Sequence, residues 1–234
     1  MKYSNKTWRA CALCMLAALA MTTGCQNKPA ETADSTNAAT DSVVAESPLD
    51  NAVVRAIMDR RSVRKYKPEP VPKEMLDVIL HCGINAPNAM NEQRWEVRVT
   101  ESKAFIDGFT KVFVESAEND ERVKKMVENP DFHNMFRNAP TVIFVAGKAD
   151  EKSSPIDCGL LGENIMLAAQ SMGLGTCCLG SAAGFLNSNP GAANYLKQLA
   201  FSDGYELLYA IAIGYPDESP EAKPRDASKI RYIE

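Results

Sequence analysis

Between Pro140 and Gly147 lies the run Thr141-Val142-Ile143-Phe144-Val145-Ala146, without a charge and without polar alternation. A strand with one wet face alternates, whereas a strand that is apolar throughout has to be covered on both faces. The run therefore predicts a central buried strand, and the rest of the chain must supply its neighbours. Tyr205 to Tyr215 predicts another, with the apolar stretch Leu207 to Ile213 closed by Gly214 and Pro216. Trp95 to Val99 reads as a strand in which Val97 and Val99 alternate with charged residues. Gly173-Leu174-Gly175-Thr176-Cys177-Cys178-Leu179-Gly180 reads as a turn and a short buried strand, whose glycines allow a ligand or another backbone to approach.

Helical patterns fall between these strands. Leu49, Val53 and Ile57, widened by Val54 and Met58, form an apolar stripe over Leu49 to Arg60. Pro72 opens a second helix that stops near Gly83. Glu101 to Glu128 is helical in two pieces, Pro155 to Met172 is a long helix, and Asn187 to Leu199 is a short one that Asn189 and Pro190 can open. Interleaved helices and three or four strands predict an α+β fold around a mixed sheet. Met126, Phe132, Met135 and Phe136 either pack in its core or line a pocket.

The N-terminus has a different composition. Lys2, Lys6 and Arg9 precede an apolar stretch from Ala10 to Met21, which ends in Thr22-Thr23-Gly24 before Cys25. This is the pattern of an export signal, and the stretch is shorter than the roughly 18 to 20 residues that span a bilayer. The small residues followed by cysteine resemble a bacterial lipobox, with Thr22 where Leu is usual. The predicted organisation is a signal peptide over 1–24, a tether over 25–47 that begins at acylated Cys25, and a folded domain over 48–234. The tether is rich in Ala, Thr, Ser, Asp and Asn, too polar to offset its ordering entropy by burial. The expected location is the bacterial cell envelope, with membrane contact through the lipid alone.

The net charge of −4 argues against a nucleic-acid partner, since phosphate-backbone binding shows as a basic excess. Four cysteines remain in the folded part, Cys82, Cys158, Cys177 and Cys178, without metal-type pair spacing; Cys177 and Cys178 in an extended run point to opposite faces. Against this mildly acidic background, Arg60-Arg61-Ser62-Val63-Arg64 places three guanidiniums and a hydroxyl in five residues. By charge alone the cluster is either a solvated patch or an anion site. Asn85 to Trp95 is dense in amides, which either cap a helix or read the edge of a heterocycle. Lys223 and Arg225 add a second cationic point.

Together these motifs, Arg60 to Arg64, Ala86-Pro87-Asn88-Ala89-Met90-Asn91-Glu92-Gln93-Arg94-Trp95, Gly173 to Thr176 and Lys223-Pro224-Arg225, resemble the FMN-dependent nitroreductase family in order and spacing, from Leu49 to Arg225. The resemblance implies a central mixed or antiparallel sheet flanked by helices, an entwined homodimer, and FMN at the dimer interface. It implies that Arg60, Arg61, Ser62 and Arg64 hold the flavin phosphate, ribityl chain and pyrimidine edge, with Lys223 and Arg225 as a second phosphate clamp. Pro87, Asn88, Met90 and Asn91 would meet the ring from the partner subunit, and Leu179 and Gly180 would approach its N5 side. NADH or NADPH would act as transient donor to a nitroaromatic or quinone-like small molecule by ping-pong exchange. In that picture the flavin carries the chemistry, and His81, His133, Cys177 and Cys178 have no catalytic part.

Two residues depart from the family pattern: Asn88 stands where Ser or Thr is common, and Arg94 where Pro is, so Arg94 is expected to favour an anionic acceptor. Two other readings remain. One is different flavin chemistry on the same fold, reductive dehalogenation or flavin destruction, with Lys111 to Phe136 as a lid. The other is an envelope lipoprotein that binds without catalysis.

Overall fold

The computed structural model describes residues 51–234. The expected signal, the tether, acylated Cys25 and Leu49 all lie outside the described residues. Four strands form one sheet, β1 (Trp95–Thr100), β2 (Thr141–Lys148), β3 (Gly175–Leu179) and β4 (Tyr205–Gly214), in the order β1-β2-β4-β3. Every pairing is antiparallel, so the sheet is not mixed; the parallel contact is a single bridge between Ser62 and Thr176. β2 is interior and buried from Thr141 to Gly147, as its unbroken apolar run requires.

Alternation along β2 and β4 divides the core in two. Val142, Phe144, Ala210 and Ala212 face one side, where Phe109 packs edge-on against Phe105 and Phe136, and Phe136 edge-on against Phe144. Helices α3 (Lys103–Glu115), α4 (Glu121–Val127) and α6 (Gly180–Ser188) contribute to this aromatic layer, and Tyr195 of α7 (Ala193–Gln198) packs against it. Ile143, Val145, Ile211 and Ile213 face the other side, against α2 (Lys73–Ile84) and the long α5 (Ser154–Ser171). The two helices approach closely at Gly83, where an added Cβ would lie 2.6 Å from Ile165.

Three expectations need correction. The first helix, α1, runs Ala52–Asp59 and buries none of its stripe: Val53 is 66% exposed and Met58 67%. The short helix expected over Asn187 to Leu199 is a 3-10 turn, Pro190–Ala192, capped by Asn189 and followed by α7, but a further helix, α6, precedes it where only a turn and strand were expected. The β-turn-like glycines hid α6, since Gly180 and Gly184 lower helix propensity by about 1 kcal/mol each relative to Ala. Finally, the 111–136 segment is pinned to the aromatic core by Phe113, Val123, Met135 and Phe136 and is not a free flap. Met126 and Phe132 pack only partly into that core and also line a cleft.

Candidate functional site

The arginine segment is strapped across one end of the sheet. Val63 N donates to Thr176 O at 2.9 Å on β3, and Lys67 N donates to Tyr215 O at 2.9 Å just beyond β4. Val63 fits only because residue 175 is glycine, where a Cβ would come within 2.8 Å of its side chain. Buried Tyr66 donates its hydroxyl to Val63 O at 2.6 Å. Burial first, then the nearby Cys177 and Glu218, push its pKa well above the usual phenol range.

This strap sorts the arginines by task. Arg60 ends α1; its side chain is 22% exposed, with Nε 3.7 Å from a Glu163 oxygen on α5. Arg64 is exposed, and its Nη1 donates to Ser62 O at 2.9 Å. Its backbone N–H donates to the Glu218 carboxylate, which returns from the far side of β4. Both cations lie near Cys177, whose buried thiol is raised by desolvation and pulled back by Arg64, Arg137 and Arg60. Arg61 is turned away: its Nη1 donates to Met58 O at 2.7 Å and Arg60 O at 2.9 Å, capping α1.

The neighbouring strand end supplies neutral donors. Leu179 is buried, and Gly180 is the exposed first residue of α6. Leu179 gives no side-chain cap, which leaves first-turn N–H groups of α6 for another acceptor. A Cβ at Gly180 would meet nothing, so the space before it is open. Thr176 Oγ1 is buried without a hydrogen-bond partner. Cys177 is buried and Cys178 exposed, on the opposite faces that strand geometry dictates.

The amide loop belongs to another part of the surface. Exposed Pro87 precedes Asn88, whose Oδ1 accepts Gln93 N at 2.9 Å. Ala89 N donates to the buried Asp157 carboxylate on α5 at 3.2 Å. Met90 and Asn91 take left-handed backbone conformations at φ 54° and 55°, and Met90 is 88% exposed. No hydrogen bond or ion pair among the described residues joins this loop to Arg60 or Arg64. Lys223 and Arg225 also stand apart and exposed, with Arg225 Nη1 donating to Lys223 O at 3.1 Å.

Arg94 does not offer the free cation expected of it. Its guanidinium is held by Glu92 and by Glu151 Oε2, the latter at 2.8 Å. Sequence reasoning also passed over Asp157, Glu218 and Arg137. Asp157 had a signal: with Leu161 and Ile165 it sits at i, i+4 and i+8 on the buried stripe of α5, where an acid is costly without a donor. His81 and His133 are both exposed.

A profile of the nitroreductase family matches residues 57–215. A Methanothermobacter thermautotrophicus protein with the provisional name NADH dehydrogenase/NAD(P)H nitroreductase is 32% identical over 72% of this chain and 79% of its own. The NADPH-flavin oxidoreductase of Vibrio harveyi is 29% identical over 75% of this chain and 70% of its own. The crystal structure of a nitroreductase with bound FMN from Desulfitobacterium hafniense DCB-2 superposes with TM-score 0.72 at 27% identity, covering 79% of this chain and all of that one.

Proposed function

Because the chain belongs to the nitroreductase family, we propose that it is a flavin-dependent NAD(P)H oxidoreductase in which Arg60, Ser62 and Arg64 hold FMN against the β3–α6 junction. The observation that carries this reading is the strap itself, which fixes Arg60 and Arg64 along β3, the strand that leads into the open N-terminus of α6. A flavin phosphate suits fork-shaped cations, and a reduced ring is stabilised by nearby N–H donors. The residues fit that group: the Arg64 guanidinium has no carboxylate within ion-pair distance among the described residues, and the space before Gly180 is open. Bound FMN would supply the hydride chemistry, between a nicotinamide donor and a nitroaromatic or quinone-like acceptor that alternate in one place. The chain's own part is to bind, to orient and to supply N–H donors; the thiols and exposed histidines take none.

A homodimer follows from the same reading. Val53, Ile57 and Met58 on α1, Ile156 and Leu160 on α5, and Ile230, Tyr232 and Ile233 in the tail expose large apolar side chains that a second copy would cover. The separation of the Pro87–Asn91 loop from Arg60 and Arg64 supports its delivery to the flavin by the partner. Lys223 and Arg225 would close on the phosphate when the tail is ordered in the dimer. Anchoring at acylated Cys25 in the cell envelope is part of the proposal and rests on the Thr22-Thr23-Gly24-Cys25 sequence; a Cys25→Ser protein that still sediments with membranes would refute it.

The visible spectrum of the purified full chain tests the core of this reading. The expected result is yellow protein that releases FMN on denaturation and bleaches anaerobically with NADH or NADPH. Arg60→Ala and Arg64→Ala are expected to lose flavin while keeping native circular dichroism. Colourless protein that cannot be loaded with FMN would overturn the assignment.

A further inference from the structure

A cleft of about 600 Å³ separates residues 64–68 from the 126–138 segment. Its charged lining is Arg64, Lys65 and Arg137, with Asp131, Asp217 and the exposed His133. Lys65 is taken, 3.7 Å from an Asp131 oxygen. Among the described residues the Arg64 guanidinium reaches only the Ser62 carbonyl, and Arg137 has neither a hydrogen-bond nor an ion-pair partner. Both cations act on Tyr66 and Cys177, which places them on the same wall. Beside them, half-buried Met126 and Phe132 give the cleft an apolar surface, with Phe132 stacked on Phe113 at 6.1 Å.

The loop that carries Arg137 is built to hold it. Asn138 Oδ1 accepts His133 N at 2.8 Å and Asn134 N at 2.9 Å. Asn134 Oδ1 accepts Phe136 N at 2.9 Å and Asn138 N at 3.0 Å. Between fully buried Phe136 and braced Asn138, Arg137 lies at φ 61°, and Asn138 repeats that left-handed value. For a side chain other than glycine this conformation is strained, and such outliers concentrate at ligand-binding positions.

We propose that this cleft recognises an aromatic acceptor bearing a carboxylate, with Arg137 as the specificity-determining residue that forks onto the carboxylate while Met126 and Phe132 take the ring. The anion preference expected of Arg94 thus belongs to Arg137. The inference rests on the oxidoreductase reading only through Arg64, which serves both the strap and the cleft.

Calorimetric titration of the full chain with benzoate and with inorganic phosphate, at low salt, tests binding independently of turnover. Benzoate affinity is expected to fall about tenfold in Arg137→Gln and to recover in part in Arg137→Lys, each checked for native melting. In flavin-loaded protein, the ratio of KM for 4-nitrobenzoate to KM for nitrobenzene should rise by about the same factor in Arg137→Gln. Unchanged benzoate affinity in that variant, an unchanged KM ratio, or phosphate binding that depends on Arg137 as strongly as benzoate binding does would each overturn the proposal. Colourless protein whose benzoate affinity still depends on Arg137 would uphold the cleft and sink the flavin reading instead.

Discussion

Arg98 and Arg137 are both half-buried arginines associated with a left-handed, non-glycine turn, and they are used in opposite ways. Arg98 leaves β1 to bracket the turn at Ala200, where φ is 48°: Nε donates to Leu199 O at 2.8 Å and Nη2 to Ala200 O at 2.7 Å. The same Nη2 meets Glu96 Oε2 at 2.6 Å, and the guanidinium lies 5.1 Å from the centre of the Phe201 ring. Nothing of that side chain is left to bind with. The turn at Arg137 is held instead by asparagine side chains, so its guanidinium carries no structural duty. Whether an arginine is a brace or a receptor is decided by what else holds its loop.

The sharpest way to break this contrast is Arg98→Ala. It strips three carbonyls of a donor and a part-buried carboxylate of one of its two partners, and an expected loss of about 2–3 kcal/mol should appear in urea unfolding with benzoate affinity retained. Asn138→Ala comes next, costing about 1–2 kcal/mol through two orphaned N–H groups. It should also weaken benzoate although Arg137 remains, because the loop no longer fixes it. Arg137→Gly is expected to raise stability by about 1 kcal/mol as the left-handed strain is relieved, while benzoate binding is lost. A fall in melting temperature there would mean that Arg137 is a brace after all.

The smallest effect is on pH dependence. Burial alone would raise the Glu96 carboxyl, but hydrogen bonds from Ser202 and Arg98 outweigh it and hold the group below its ordinary value of 4.5. A depressed folded pKa contributes stability above that ordinary value, and the contribution is lost as pH falls through the folded one. Glu96→Gln should therefore flatten the acid limb of the stability profile, whereas Arg137→Gln should leave its shape alone.

What was legible in the sequence follows the range of the physics. The apolar run at Thr141 announced the central strand because burial on two faces is written into consecutive residues. The stripe of α1 was legible, yet its exposure was not, since a stripe records what must be covered and not which chain covers it. Arg94 was misread because Glu151, which helps neutralise it, is 57 positions away. Arg137 went unread for the converse reason: its distinction is the lack of a partner among the described residues, a fact spread over the whole fold. Asp157 was readable as an acid on an apolar stripe, though the Ala89 amide that satisfies it was not.

The strap that carries Arg60 and Arg64 also bears on when the site can come into being. Its anchors are late in the chain, at Thr176, Tyr215 and Glu218, the last 154 positions from Arg64. Contacts so distant in sequence close only after the intervening strands exist. During synthesis β1 and β2 can pair long before Tyr215 emerges, but the arginines then have nothing to lie against. The proposed anion site is thus a late product of folding, and a ribosome-bound chain would be blind to its cofactor until nearly its last residues are free.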